Sequence, residues 1–465
     1  MAALVTLLMI CTPVAVQCQN LTDSQVELIS VSLADAAKAS WELGTRAQAI
    51  LSLNATGFSV YSSTSLPPPT SIEQFGDGNA TGLAPLFDIA RTTVLNRGAS
   101  NGNVTGPQPL MKDGSAADPA SIGFAVLLAN WTQQDESTVD YVGAAKDQLD
   151  FLYQVVPKTS DGAFSHRVAE VQLWSDFVYM VPPFLAYYGV LTRNRTLLLE
   201  AYNQIKLYRN YLRDSHAGGL WKHVLLGASG NDEGHWSTGN AWAAAGMLRV
   251  LATFQHSEYA NTLKHQQNDL AGWAIEIQNA MYTHLDNTLV FANYPDLAPD
   301  TPGNFYDASS TALLASTVYR VSLLWGEHSH LPIAERSRQA LFGPSSSSAT
   351  PTFTSDSPIS STSNSTASNS TTTNSTTANT VLSNMAHFTT EGYLTPVVNP
   401  HSYGREGSKS AEAQAFVVEL HSAWRDWIAD GAKGANGARR TMGWPVIPLY
   451  GWVAWACILL GGWLV

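Results

Sequence analysis

From Asp23 to Gly343 the chain keeps returning apolar residues at three- and four-residue spacing, and almost nowhere alternates them as a half-buried strand would. Ile122, Ala125, Val126 and Ala129 form one such stripe, and Leu149, Leu152, Tyr153 and Val156 a second. Met247, Val250, Leu251 and Phe254 form a third, and Leu270, Trp273, Ala274, Ile277 and Met281 a fourth. Phe416, Leu420, Ala423, Trp424 and Trp427 repeat the pattern near the far end. Each stripe must pack against another helix. Eleven helical segments are predicted, starting near Ser24, Ala84, Pro119, Val142, Val171, Thr196, Asn240, Leu263, Asp307, Leu331 and Lys409. No motif recurs with a period of about 20 to 50 residues, which argues against a solenoid. The remaining solution for so many helices is a closed toroid of paired helices, an all-α fold.

The tract from Pro344 to Asn384 is built of Ser, Thr, Asn, Pro and Ala and cannot bury enough apolar surface to order itself. A helix follows it at Lys409 and needs the earlier core. The tract is therefore expected to be a disordered, glycosylated insertion at 344–384 in one domain spanning 19–430. Residues 1–18 are uncharged and apolar up to Cys18, the pattern of a signal peptide. Residues 443–465 form a second apolar stretch, preceded by a polar spacer at 431–442 with small residues from Gly434 to Ala438. That order reads as a lipid-anchor (GPI) signal, the alternative being a plain tail anchor in the membrane. Sequons stand at Asn20, Asn54, Asn79, Asn103, Asn130, Asn194, Asn364, Asn369 and Asn374, so N-glycans and a cell-surface or cell-wall location are expected. Cys11, Cys18 and Cys457 all lie in the two apolar end segments, and the domain between them must hold together without a disulfide.

A net charge of -12 with no basic run excludes nucleic acid as a partner. Gly-X-Ser-X-Gly, His-Glu-X-X-His, paired Cys ligands and a phosphate-binding glycine loop are all missing, and no metal or cofactor is expected. Carboxylates and histidines in aromatic loops remain, the composition that suits proton transfer to a stacked sugar. Asp176 sits in the apolar run Leu173 to Phe184, where desolvation would raise its pKa as a general acid requires; equally, it or Ser175 could simply cap the next helix. His166 and Arg167 precede it. Trp174, Trp221, Trp236 and Trp242 offer flat faces for sugar rings, and His223 and Asn240 offer directional hydrogen bonds. Taken singly, each Trp suits a core as well as a platform; their crowding into short loops favours a site. Asp307, Ser408 and Ser410 read as helix caps before Ala-rich packing.

The succession Trp174-Ser-Asp-X-X-Tyr179-Met-X-X-Pro, Gly219-Leu-Trp-X-His223, Trp236-X-X-Gly-Asn240-X-Trp242, Asp307-Ala-Ser-X-Thr-Ala and Ser410-Ala-Glu-X-Gln-Ala-Phe416 resembles glycoside hydrolase families 88 and 105. These are the unsaturated glucuronyl and rhamnogalacturonyl hydrolases. The resemblance covers 121–427 and implies an (α/α)6 six-hairpin barrel. It also implies a reaction in which one Asp protonates the ring double bond of a terminal unsaturated uronic acid, so that water adds and the ring opens. Asp176 matches that Asp and His223 the active-site His, with His166, Arg167, Trp174, Tyr179, Trp221, Trp236, Asn240 and Trp242 around the sugar. One departure is plain: the family's Trp-X-Arg-Gly-Asn reads Trp236-Ser237-Thr238-Gly239-Asn240 here, and that Arg helps bind substrate. Arg167 or Lys222 would have to supply the charge. The expected partner is an oligosaccharide end. The competing readings are a wall endo-mannanase, which would use an adjacent Asp-Asp pair absent from this chain, and a non-catalytic carbohydrate-binding or wall protein on the same barrel.

Overall fold

The computed structural model describes residues 20–72, 79–135, 138–344, 382 and 384–435. The expected signal segment, most of the 344–384 tract and the apolar tail lie outside the described residues. So does the side chain of Asn79. Asn20, Asn54, Asn103 and Asn194 are exposed, and Asn130 is half-buried.

Twelve α-helices occur among the described residues: α1 (Asp23–Ala36), α2 (Ser40–Asn54), α3 (Asn79–Ser100), α4 (Gly123–Trp131), α5 (Tyr141–Gln154), α6 (Phe177–Leu191), α7 (Arg195–Leu212), α8 (Ser237–His256), α9 (Lys264–Tyr282), α10 (Ala308–Trp325), α11 (Leu331–Phe342) and α12 (Ala411–Ala429). The even-numbered helices form a closed inner ring, each touching the next and α12 returning to α2. A short 3-10 turn, Asp118–Ile122, wedges between α2 and α6 beside α4. The odd-numbered helices stand outside: α3 on α2 and α4, α5 on α4, α7 on α6, α9 on α8, α11 on α10, and α1 on α12. This is the expected all-α six-hairpin toroid, with its sixth hairpin assembled from the first and last described helices.

Inner helices are more enclosed than outer ones, and the sequence of α8 shows the consequence. In α8 every residue from Ser237 to Phe254 is buried, so its pattern is small and apolar all round instead of striped. Gly246 lies where any Cβ would run into the Val178 backbone, which lets α6 and α8 approach closely. Outer helices keep one buried stripe. In α5 it is Tyr141, Ala144, Ala145, Gln148, Phe151 and Leu152; Tyr153, placed on that face by periodicity, is exposed.

Two further details differ from the sequence reading. The first segment is two helices, because the Glu42 carboxylate accepts the Lys38 and Ala39 amides at 2.8 Å each and starts a new helix without Gly or Pro. The segment expected from Val171 begins as a helix only at Phe177, because Leu173–Trp174 is a short strand, β1, paired antiparallel with β2 (Val224–Leu225), Trp174 opposite Val224. A hairpin of β3 (Val397–Asn399) and β4 (Ser402–Gly407) stands just before α12.

Candidate active site

The loops entering the inner helices gather at one mouth of the barrel, around a cavity of about 260 Å³. Asp176 occupies the N-cap position of α6, yet its side chain caps nothing. Its Oδ2 accepts the Ser175 hydroxyl at 3.2 Å and lies 3.5 Å from His223 Nε2. The His223 imidazole has no exposed surface; its Nδ1 lies 2.9 Å from Asp232 Oδ2, and its ring meets Trp174, Trp236 and Tyr403 with centroids 5.3, 4.5 and 4.4 Å away. The β1–β2 pairing produces this meeting, since the Ser175 amide donates to the His223 carbonyl at 2.9 Å.

On the other wall, His166 stacks on Trp174 at 4.9 Å with an interplanar angle of 13°, and the Arg167 guanidinium sits over the same indole at 5.8 Å. His166 Nε2 lies 3.3 Å from Asp118 Oδ1, carried by the 3-10 turn. Asp113 accepts the Ser115 amide and the Ser40 hydroxyl. Glu412, one residue into α12, accepts Trp41 Nε1 at 2.7 Å through Oε1.

Charge is distributed unevenly over this cavity. Burial pushes the Asp118 carboxyl well above the usual range, and the nearby Asp113 and Asp176 add to the shift. Burial likewise lifts Asp113, and lifts Glu412 well above its ordinary value. Burial drives His166 down to about 3, so the ring facing Asp118 is uncharged and their 3.3 Å contact is not an ion pair. Asp176 is a correction to the sequence reading. Burial does push it up, as its aromatic setting suggested, but the contact and charge of His223 outweigh burial and hold it below the usual carboxylate range. Burial opposes the His223 imidazolium too; Asp176 and Asp232 outweigh it from two sides, and His223 is raised. Both shifts favour the same ion pair, Asp176 as carboxylate and His223 as imidazolium.

Seven of the ten residues singled out from sequence come together here: Asp176, His223, His166, Arg167, Trp174, Trp236 and Trp242 all line the cavity. Three do not. Trp221 is fully enclosed behind the site, and Asn240 serves it, accepting the Trp221 amide at 2.8 Å and donating to its carbonyl at 3.0 Å. Tyr179 points below the cavity and donates to Glu419 Oε1 at 2.7 Å. Lys222 pairs with Glu233 at 2.6 Å outside the lining, which leaves Arg167 as the one Lys or Arg among the described lining residues. Thr238 is buried at the base of α8 and donates to Asp307. Asp118, Asp113, Tyr403 and Asp232 escaped the sequence reading. Asp118 stands just before Pro119, where a helix start was expected, and only the fold reveals which way it faces. Ser410 does cap α12, accepting the Ala413 amide at 3.1 Å, but Glu412 in the same stretch lines the cavity.

A six-hairpin helical barrel whose mouth holds paired carboxylates, histidines and indoles defines the class of helical-barrel glycosidases. The chain belongs to Glycosyl Hydrolase Family 88, whose model matches residues 85–374. Among solved structures it is similar to a family 105 glycoside hydrolase from C. acetobutylicum ATCC 824, at 13% identity over 86% of this chain and 99% of that one, with a TM-score of 0.58. It is equally similar to a possible family 105 member from Klebsiella pneumoniae, at 13% identity over 92% and 100%, TM-score 0.58. An unsaturated glucuronyl hydrolase specific for heparin matches at 11% identity over 87% and 97%, TM-score 0.52. No curated protein sequence matches the chain.

Proposed function

We propose that this glycosidase removes a terminal unsaturated uronic acid from an oligosaccharide, with the Asp176–His223 pair moving the proton. The observation that carries the reading is the contact of these two side chains in the wall of the tryptophan-lined cavity. The ring double bond of such a sugar is an enol ether. A proton delivered from the pair to the outer carbon leaves positive charge beside the ring oxygen; water adds there and gives its proton back to the pair, and the hemiketal opens. The anomeric carbon, now a hemiacetal, collapses to an aldehyde and releases the rest of the oligosaccharide with the hydroxyl proton on its oxygen. One water is consumed and the pair ends as it began. At rest the shared proton sits on His223, and it passes to Asp176 as a sugar displaces water and an added negative charge makes the carboxylate more basic. Asp118, neutral at rest, is a hydrogen-bond donor for the sugar. Arg167, held over Trp174, takes the uronate in place of the arginine that position 238 lacks.

The test is turnover of a panel of unsaturated disaccharides, followed by loss of the ultraviolet absorbance of the double bond. Asp176→Asn should abolish turnover and keep saccharide binding. Binding without turnover by the parent chain on the whole panel would reject hydrolysis in favour of a carbohydrate-binding role.

We also propose that the protein enters the secretory pathway and stays at the cell surface, on the strength of the apolar stretches 1–18 and 443–465 and the exposed sequon asparagines. Release from intact cells by a phosphatidylinositol-specific phospholipase tests the anchor, and a mobility shift on glycan removal tests the sequons.

A further inference from the structure

His223 has a second carboxylate behind it that the cavity does not contain. Asp232 lies on the strand segment facing β2: the Val224 amide donates to its carbonyl at 2.7 Å and its own amide donates to the Val224 carbonyl at 3.0 Å. Its Oδ1 accepts the Gly234 amide at 3.0 Å. Its Oδ2 faces His223 Nδ1 at 2.9 Å and also accepts the Tyr294 hydroxyl at 2.7 Å. The imidazole backbone is pinned as well, its amide donating to the Gly234 carbonyl at 3.0 Å. The other groups against the ring are Asp176 and the rings of Trp174, Trp236 and Tyr403, with the uncharged His166 beyond Trp174.

We infer that Asp232 is the positioning residue that keeps the Nδ1 proton on His223 and its Nε2 directed at Asp176, and that Tyr294 weakens its hold by sharing the same oxygen. An anion fixed by backbone amides on one side of an imidazole dictates which nitrogen carries hydrogen, and stabilises the cation. A second donor on that oxygen withdraws part of the negative charge from the ring. The proton store of the cavity is thereby set from a place that no sugar touches. Its catalytic consequence rests on the reading above; the geometry does not.

The experiment titrates the His223 ring by NMR in full-length protein carrying labelled histidine. In Asp232→Asn the midpoint should fall by about 1 to 3 units, the effect of losing an adjacent opposite charge. In Tyr294→Phe it should rise, since Asp232 then serves His223 alone. Where turnover is measurable, the alkaline limb of kcat/KM should move in the same two directions with KM unchanged. General damage to the fold would not move two variants oppositely. A midpoint unchanged in Asp232→Asn, or moved the same way by both variants, overturns the assignment. Opposed shifts in a parent that turns over no unsaturated sugar leave the assignment standing and reject the proposed reaction instead.

Discussion

Thr238 Oγ1 donates to Asp307 Oδ2 at 2.9 Å, both side chains fully buried where α8 and α10 begin. Asp307 also accepts the Ser309, Ser310 and Val398 amides at 3.0, 3.1 and 3.2 Å. One carboxylate therefore ties two inner helices to the β3–β4 hairpin that carries Tyr403 over the cavity. The position that holds a substrate-binding arginine in the family pattern belongs here to the scaffold.

Asp307→Ala should cost about 3 kcal/mol or more, because it strands several buried donors together, whereas Thr238→Val should cost roughly 1 to 2 kcal/mol. Urea denaturation measures both, and a loss below about 1 kcal/mol for Asp307→Ala would contradict this role.

Arg167→Ala should raise KM for an unsaturated uronide by roughly 10- to 100-fold, the value of one charge-assisted contact, with a smaller change in kcat. The same substitution should leave binding of a neutral sugar nearly unchanged. Equal losses on both ligands would mean that Arg167 merely supports Trp174.

Trp174 and Trp221 separate a platform from a core residue. Trp221→Ala should lower stability by about 3 to 5 kcal/mol, as for any enclosed indole. Trp174→Ala should cost less stability and raise KM about tenfold or more, since His166, Arg167 and the cavity all use its surface. Thermal melts beside kinetics compare the two.

Glu419, below the cavity, gives a pH signature of folding. Burial pushes its carboxyl up to about 7, although Tyr179, Arg249 and Arg320 favour the ion. A carboxyl that binds its proton more tightly when folded stabilises the fold fully below its unfolded value of 4.5, and that contribution is lost as pH rises to about 7. Between about pH 4.5 and 7 this group should withdraw about 3 kcal/mol. Glu419→Gln should flatten that part of the stability profile; a slope as steep as the parent's would refute the assignment.

The barrel was legible in the sequence because outer and inner helices alike return apolar residues at helical spacing, as in α5 and α8. The break between α1 and α2 was not, since a side chain, Glu42, creates it without Gly or Pro. The strands at the mouth were hidden for a related reason: two-residue pairings such as Trp174 with Val224 are too short for alternation to register. Asp176, His223 and the indoles stood out by their crowding. Asp118 and Asp232 did not, because a carboxylate in a loop looks the same whether it faces water or an imidazole. The charge state of Asp176 escaped for the same reason: its aromatic neighbours are adjacent in sequence, while the histidine that reverses their effect is 47 positions away.

Because α12 lies between α1, α2 and α10, the inner circle has no last stave until residues 411–429 have left the ribosome. Nascent chains halted before that point should hold α2 and α10 with bare flanks, exposed to chaperones and proteases for as long as synthesis of the remainder takes. The order of translation thus makes the last described helix the latch of the barrel.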